Sequence, residues 1–281
     1  MRLCPKIRLW PRWQPVDSDP FAAELESHRR YLLRVARLQL RDQDMAEDVV
    51  QDTLFAALTG RDGFSGRSSV KTWLTGILKH KIVDVIRQKK RQPVLESMFE
   101  EDTGLDDFDP LFRDDGGWAA PPADWGDPEN ALSQREFFDI MEFCLEKLPP
   151  NTARVLMMRE VMELDTDEIC KELTITANNL WVILYRARMA LRECLDQNWF
   201  AGQARDGDDP RSAKPLRPML HRLTHMVSCK EATRLLSQSE DRRLSLGERV
   251  KLRLHLAVCT GCARFQRQID FMRGAMSRYR K

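Results

Sequence analysis

Four residues toward the end of the chain have the types and spacing of a metal site: Cys229, then His255-x-x-x-Cys259-x-x-Cys262. Residues four apart share a helix face, so His255 and Cys259 point together, and Thr260-Gly261 permits the turn that brings Cys262 round as a third ligand. One upstream donor completes a tetrahedron; Cys229 is the expected one, with His225 the alternative. A closed Cys3His shell is the signature of structural zinc, whose binding supplies on the order of 10 kcal/mol to a unit too small for a core of its own. A Cys-x-x-Cys redox pair is the rival reading, and the histidine four residues upstream favours zinc. Catalytic zinc would need an open position and a nearby general base; no residue offers one, and no catalytic residue is assigned.

A second pattern lies earlier. Thr166 to Leu173 reads as a short capped helix, Thr174-Ile175 as a turn, and Thr176 as the N-cap of a longer helix through Leu191. Such a helix-turn-helix points Leu180, Leu184, Ala187 and Leu191 inward and leaves Asn178, Asn179, Trp181, Val182, Tyr185, Arg186 and Arg188 outward in varying degree. The first turn of the second helix is what enters a major groove, where asparagine reads adenine and arginine holds guanine or phosphate. By itself the pattern is equally a solvated arginine face. The net charge of +2 argues nothing for nucleic acid, but charge is segregated. Lys79, Lys81, Arg87, Lys89, Lys90 and Arg91 form a basic run that could meet phosphate, whereas Glu96 to Glu129 is strongly acidic and could not.

Positioning these groups calls for an all-α chain. Ala46, Val49, Val50, Thr53, Leu54 and Ala57 recur at helical spacing, as do Val70, Trp73, Leu74, Ile77, Leu78, Ile82 and Val85. A breaker-rich loop, Gly60 to Ser69, separates them and ends at a serine N-cap. With a helix around Tyr31 to Leu40 they make one unit over residues 20–96, behind a tail of residues 1–19. Residues 97–133 are acidic and carry Gly116-Gly117 and Pro121-Pro122, so an extended linker is expected there. Its reach of about 100 Å would hold two DNA-reading units roughly 70 Å apart. A second helical unit spans 134–200, a second linker 201–225, and a small metal-binding unit 226–281, with Phe265, Ile269, Met272 and Met276 as an apolar stripe on its last helix.

The length of 281 residues suits two or three small domains. No stretch has the apolar length to cross a bilayer, and Met1-Arg2-Leu3-Cys4-Pro5-Lys6 lacks the core of a signal peptide, so a cytoplasmic chain with no membrane partner is expected. In that reducing compartment Cys144, Cys170 and Cys194, set within apolar helical patterns, read as small buried thiols.

Several segments together carry a family resemblance. Ala46-Glu47-Asp48-Val49-Val50-Gln51-Asp52-Thr53 looks like the polymerase-binding part of sigma region 2. Gly66 to Leu74, continuing to Asp84-Val85-Ile86-Arg87, resembles the promoter-melting part, and Glu168-Ile169 through Tyr185 to Arg192 resembles region 4. Over residues 20–200 the chain thus resembles the RNA polymerase sigma factors of the extracytoplasmic-function type. The resemblance implies that Glu47, Asp48, Gln51 and Asp52 face core RNA polymerase. It places Phe64, Ser65, Arg67, Ser68 and Ser69 in a base-capturing loop, with Lys79, His80, Asp84, Arg87 and Lys90 along the minus-10 strand of promoter DNA. Thr176, Asn178, Asn179, Trp181, Val182, Arg186 and Arg188 would read the minus-35 element. Trp73, in helical phase with Leu74 and Ile77, is expected in the core rather than as a stacking platform. Trp181, Val182 and Cys170 depart from the family pattern, so promoter sequence is not inherited from better-known members.

Residues 226–279 resemble the zinc-binding anti-sigma domain, which implies Cys229, His255, Cys259 and Cys262 as ligands and the apolar stripe as the face laid against the sigma units. Met226-Val227-Ser228-Cys229 also reads as the start of a separate coding unit joined to the first. Tethering raises the effective concentration to roughly millimolar, so an intramolecular sigma/anti-sigma contact is expected to mask a factor that is monomeric when free, until thiolate oxidation releases the metal. A dimeric helix-turn-helix repressor and a zinc enzyme are the rival functions; the chain has no dimerising heptads and no nucleophile or base constellation for either.

Overall fold

The computed structural model describes residues 19–90, 108–126, 128–201 and 227–280, with the side chains of Lys89 and Lys90 outside it. His225, Cys4, Arg91 and the acidic stretch before Phe108 lie outside the described residues. Eleven α-helices among the described residues form three packed units, and the described chain contains no strand beyond one isolated antiparallel bridge, Phe112 to Trp118.

The first unit is α1 (Pro20–Ser27), α2 (Arg29–Leu40), α3 (Gln43–Thr59) and α4 (Val70–Lys90). Side chains set its helix starts: Asp19 and Asp42 accept from the N–H groups of Phe21 and Met45, and Ser69 from that of Thr72. The stripe Ala46, Val49, Val50, Thr53, Leu54 and Ala57 is buried throughout, as are Val70, Leu74, Leu78 and Ile82 on α4. Trp73 is half-buried, its ring 5.0 Å from that of Phe64 and 6.3 Å from that of Phe21, so it packs at the edge of the core.

The second unit is α5 (Arg135–Lys147), α6 (Pro150–Glu160), α7 (Thr166–Leu173) and α8 (Ala177–Leu195), with a π-helical turn at Asp196–Phe200. Asp165 and Glu168 make a capping box on α7, Thr174 takes the left-handed conformation that ends it, and Thr176 caps α8. The expected helix-turn-helix is therefore present, with α8 running to Leu195. The third unit is α9 (Cys229–Ser239), α10 (Leu246–Val258) and α11 (Thr260–Arg280), with Ser228 and Ser245 as N-caps.

Three expectations are overturned. Residues 108–126 are not extended: Phe112, Trp118 and Trp125 are buried, because aromatics spaced along an acidic stretch supply apolar area that average composition conceals. The two units expected far apart are in contact, α2 lying along α6. There Gln39 and Arg154 bond reciprocally, Gln39 Nε2 to the Arg154 carbonyl at 3.3 Å and Arg154 Nε to the Gln39 carbonyl at 2.9 Å, both residues buried. Arg41 donates to the carbonyls of Leu145, Glu146 and Leu148, where the negative end of the α5 dipole favours a cation. Third, Cys144 and Cys194 are joined as a disulfide across α5 and α8 rather than standing as thiols; Cys170 is free. A separation of 50 residues carries no sequence signal that these two meet.

Arg154→Met keeps the stem but removes the donors to the Gln39 carbonyl and to Asn151 Oδ1. It is expected to cost about 1–3 kcal/mol, read as a lower urea midpoint of the full chain.

Candidate metal centre and nucleic-acid interface

The four cysteine and histidine donors converge from three helices. Cys229 opens α9, His255 lies in the last turn of α10, Cys259 is the C-cap of that helix rather than part of it, and Cys262 sits in the first turn of α11. Their ligand atoms all lie within 4.8 Å of one another. Cys229 Sγ and Cys259 Sγ are 3.7 Å apart, and His255 Nε2 is 3.2 Å from Cys262 Sγ. A tetrahedral ion with metal–sulfur bonds of about 2.3 Å separates its sulfurs by about 3.8 Å, so the donors fit such an ion. The N-termini of α9 and α11 both favour thiolates.

Electrostatics of the cluster also asks for a cation. Hydrogen bonding with Cys229 and then Cys262 drives the Cys259 thiol far down, whereas hydrogen bonding with Cys229 and Cys259, with burial, pushes Cys262 far up. Burial opposes the imidazolium of His255, yet hydrogen bonds to Cys229 and Cys259 carry it up to about 9. Three crowded thiols cannot all ionise against one another; a divalent ion removes the conflict.

The exposed face of α3 carries Glu47, Asp48, Gln51 and Asp52, with Asp52 3.6 Å from Lys81. Phe55, at 67% exposure, and Leu58 continue that face and were missed by the sequence reading. Their signal was available, since both fall out of phase with the buried Val49, Val50, Thr53, Leu54, Ala57 stripe. In the loop, Ser65, Arg67, Ser68 and Ser69 are exposed while Phe64 is held against Trp73. On α4, Lys79 is half-buried and His80 and Asp84 are exposed. Arg87 reaches across to Glu172 of α7 at 2.7 Å and to Asp84 at 3.4 Å.

On α8 the first turn is open: Thr176, Asn178, Asn179 and Val182 are exposed, with the Thr176 hydroxyl spent on the Asn179 N–H. Further along, the expected outward residues are covered by the third unit. Trp181 is half-buried with the Arg242 guanidinium 5.1 Å from its ring centre, Arg186 is half-buried, and Tyr185 shares a hydrogen bond with Thr233 at 3.3 Å. Arg188, expected to point outward, is buried. Its guanidinium donates to Asp241 at 2.6 and 3.1 Å, to Glu160 at 2.9 Å and to the Ser237 carbonyl at 2.9 Å. Burial opposes its charge, but Asp241 and Glu160 more than offset that and hold it protonated. Asp241 takes a second arginine, Arg159, at 2.9 Å.

Comparison with known proteins accounts for the three units in order. Residues 25–92 match the family described as "Sigma-70 region 2", residues 138–191 "Sigma-70, region 4", and residues 229–263 "Putative zinc-finger". The chain is 40% identical over 176 residues to the "Probable RNA polymerase sigma factor" of Haemophilus influenzae, covering 62% of this chain and 89% of that one. It is 29% identical over 193 residues to the "ECF RNA polymerase sigma factor SigG" of Mycobacterium tuberculosis, covering 64% of this chain and 50% of that one. To the "RNA polymerase sigma factor YlaC" of Bacillus subtilis it is 28% identical over 150 residues, with 53% and 77% covered.

Asp241→Ala leaves Arg188 buried without its main carboxylate and should cost about 3–5 kcal/mol. Amide hydrogen exchange is expected to quicken across α9 to α11 and at the covered half of α8, while α3 stays protected.

Proposed function

The chain belongs to the sigma-70 family of RNA polymerase sigma factors, in its extracytoplasmic-function branch, and on that premise we propose that this arrangement is the factor's closed form. Residues 20–96 act as region 2 and residues 134–200 as region 4, and residues 226–281 are an anti-sigma-like tail folded back on both. The observation that supports this most is the burial of Arg188: a guanidinium on the promoter-reading helix is neutralised by Asp241 of the tail, where DNA phosphate would otherwise compete for it.

In the open form, Glu47, Asp48, Gln51 and Asp52 with Phe55 and Leu58 dock on core polymerase, an acidic face continued by an apolar one. The loop Phe64 to Ser69 takes a base of the melted strand, with Lys79, His80, Asp84 and Arg87 beside it. Thr176, Asn178, Asn179, Trp181, Val182, Arg186 and Arg188 lie against the upstream element. Two contacts oppose that state, the tail on α8 and the direct contact of α2 with α6. Arg87 is held by Glu172 as Arg188 is by Asp241, so one cation of each promoter-reading unit is engaged by a carboxylate of another unit. No described helix is long and apolar enough to cross a membrane.

Cys229, His255, Cys259 and Cys262 would hold structural zinc, whose role is to fasten together three helices with few core residues of their own. One zinc per chain is expected by elemental analysis, with none in Cys259→Ser, and chelation should lower the helix signal in circular dichroism.

Promoter-dependent transcription with core polymerase tests the closed form. Asp241→Arg, which sets like charges together beside Arg159 and Arg188, and a chain ending at residue 226 should each reach half-maximal activity at roughly tenfold lower concentration than the full chain. Equal activity of all three would overturn the closed form, and a truncated chain with no affinity for polymerase would overturn the proposed docking face.

A further inference from the structure

The segment 108–126 makes an unexpected contact with the metal cluster. A tight hairpin is formed by hydrogen bonds from the Arg113 N–H to the Gly117 carbonyl at 2.7 Å and from the Ala119 N–H to the Leu111 carbonyl at 2.8 Å. It presents Trp118 inward, its ring tilted 4.6 Å from that of Phe112 and 5.9 Å from that of the fully buried Phe265 of α11. The indole Nε1–H of Trp118 donates to Cys262 Sγ at 3.3 Å. Cys262 is the most buried of the three clustered thiols, so this sulfur has little water to turn to.

The backbone on both sides is shaped for this approach. A Cβ on Gly261, between two ligand cysteines, would lie 3.0 Å from Trp118 Cδ1 and 3.2 Å from Pro121 Cβ. Gly116 has φ +74°, and a Cβ there would meet Ser228, the N-cap of α9, at 2.7 Å. The Lys230 N–H, next to Cys229, donates to the Gly116 carbonyl at 3.0 Å, and its ammonium pairs with Asp109. Beyond the cluster, Gln268 donates to the Ala123 carbonyl at 2.9 Å and Arg264 and Arg267 each approach Asp124 to 3.5 Å. Trp125 then stacks on Phe200 at 4.2 Å and donates to Asp196 at 2.7 Å, which ties the far end to the region 4 unit.

We propose that residues 108–126 are a strap seated on the metal centre, with Trp118 as the positioning residue that donates to the Cys262 thiolate, so that capture of the strap and retention of the metal are one coupled event. This rests on the zinc reading given above. The physical case is that outer hydrogen-bond donors stabilise metal-bound ligands, and that an unsatisfied buried thiolate is costly. Coupling between two binding events is reciprocal. Whatever draws the strap away removes the donor and uncovers Cys262; conversely, loss of metal frees the Gly261 turn and removes the strap's seat. Because the strap belongs to the segment joining the two sigma units, a partner that engages that segment would loosen the metal, and metal loss would release the segment.

Zinc transfer from the full chain to a colorimetric chelator measures retention. Trp118→Phe keeps an aromatic ring against Phe112 and Phe265 but has no N–H, and should speed transfer about 10–100-fold at unchanged zinc content. With Co2+ in place of zinc, the same variant should shift the sulfur-to-metal charge-transfer band to lower energy, a change that packing alone would not produce. In the unmodified chain, chelation should quicken amide exchange of residues 111–119 while α3 is unaffected. If Trp118→Phe matches the parent within about twofold in transfer rate, or if exchange of residues 111–119 ignores zinc removal, the coupling is overturned while the metal reading stands. A parent chain that neither carries nor takes up zinc overturns both.

Discussion

A guanidinium withdrawn from water is tolerable only beside carboxylates that meet it, and the closed arrangement turns on one such meeting, Arg188 with Asp241. Asp241 lies just past the end of α9, and Cys229, one of the four clustered Cys and His residues, begins that helix. Eleven helical residues, about 16 Å of rigid rod, therefore join the Cys/His cluster to the carboxylate that meets Arg188 of α8. The orientation of Asp241 depends on how α9 is held, by its packing on α8 and α11 and by the cluster at its first residue. On the proposed function, a metal-bound end and an ion-paired end on one short helix would link the state of one site to the other.

Ion pairs of this kind contribute alignment more than net stability, because desolvation offsets most of their attraction. The apolar area that holds the units together comes instead from α11. Its Met272 and Met276 line a shared space with Leu156, Glu160 and Leu191, Phe271 meets Phe137 at 5.5 Å, and Tyr279 packs 5.7 Å from Tyr31 of the first unit. Lys71 donates to the Tyr279 carbonyl and sits 3.9 Å over the ring of Tyr31, so one helix end touches region 2 while its middle touches region 4. Phe55 and Leu58 stay open on the far more polar face of α3. On the proposed function, a polymerase can begin to engage there before the closed form has been undone.

Much of this was legible residue by residue. The stripe from Ala46 to Ala57, the N-caps Ser69 and Thr176, the turn at Thr174-Ile175 and the Cys229, His255, Cys259, Cys262 set are local patterns, and each is present where the spacing placed it. The stripe of α11 was equally plain, and its burial against the other units follows from having nothing else large enough to cover it. Residues 108–126 were misread because charge density was averaged over the stretch, although Phe112, Trp118 and Trp125 stand in it as anchors.

Periodicity, capping and ligand spacing act over a few residues, so the sequence alone determined the helices, the all-α class, the helix-turn-helix and the grouping of Cys229, His255, Cys259 and Cys262. Which distant groups meet was decided only by packing. Arg188 with Asp241 spans 53 residues, Gln39 with Arg154 115, Trp118 with Cys262 144, and Cys144 with Cys194 50. Each of these side chains has several possible partners of the right chemistry in the chain. Selection among them comes from the way the buried faces of α2, α6, α8 and α11 fit together, because a polar or charged group enters the interior only where that fit delivers its partner.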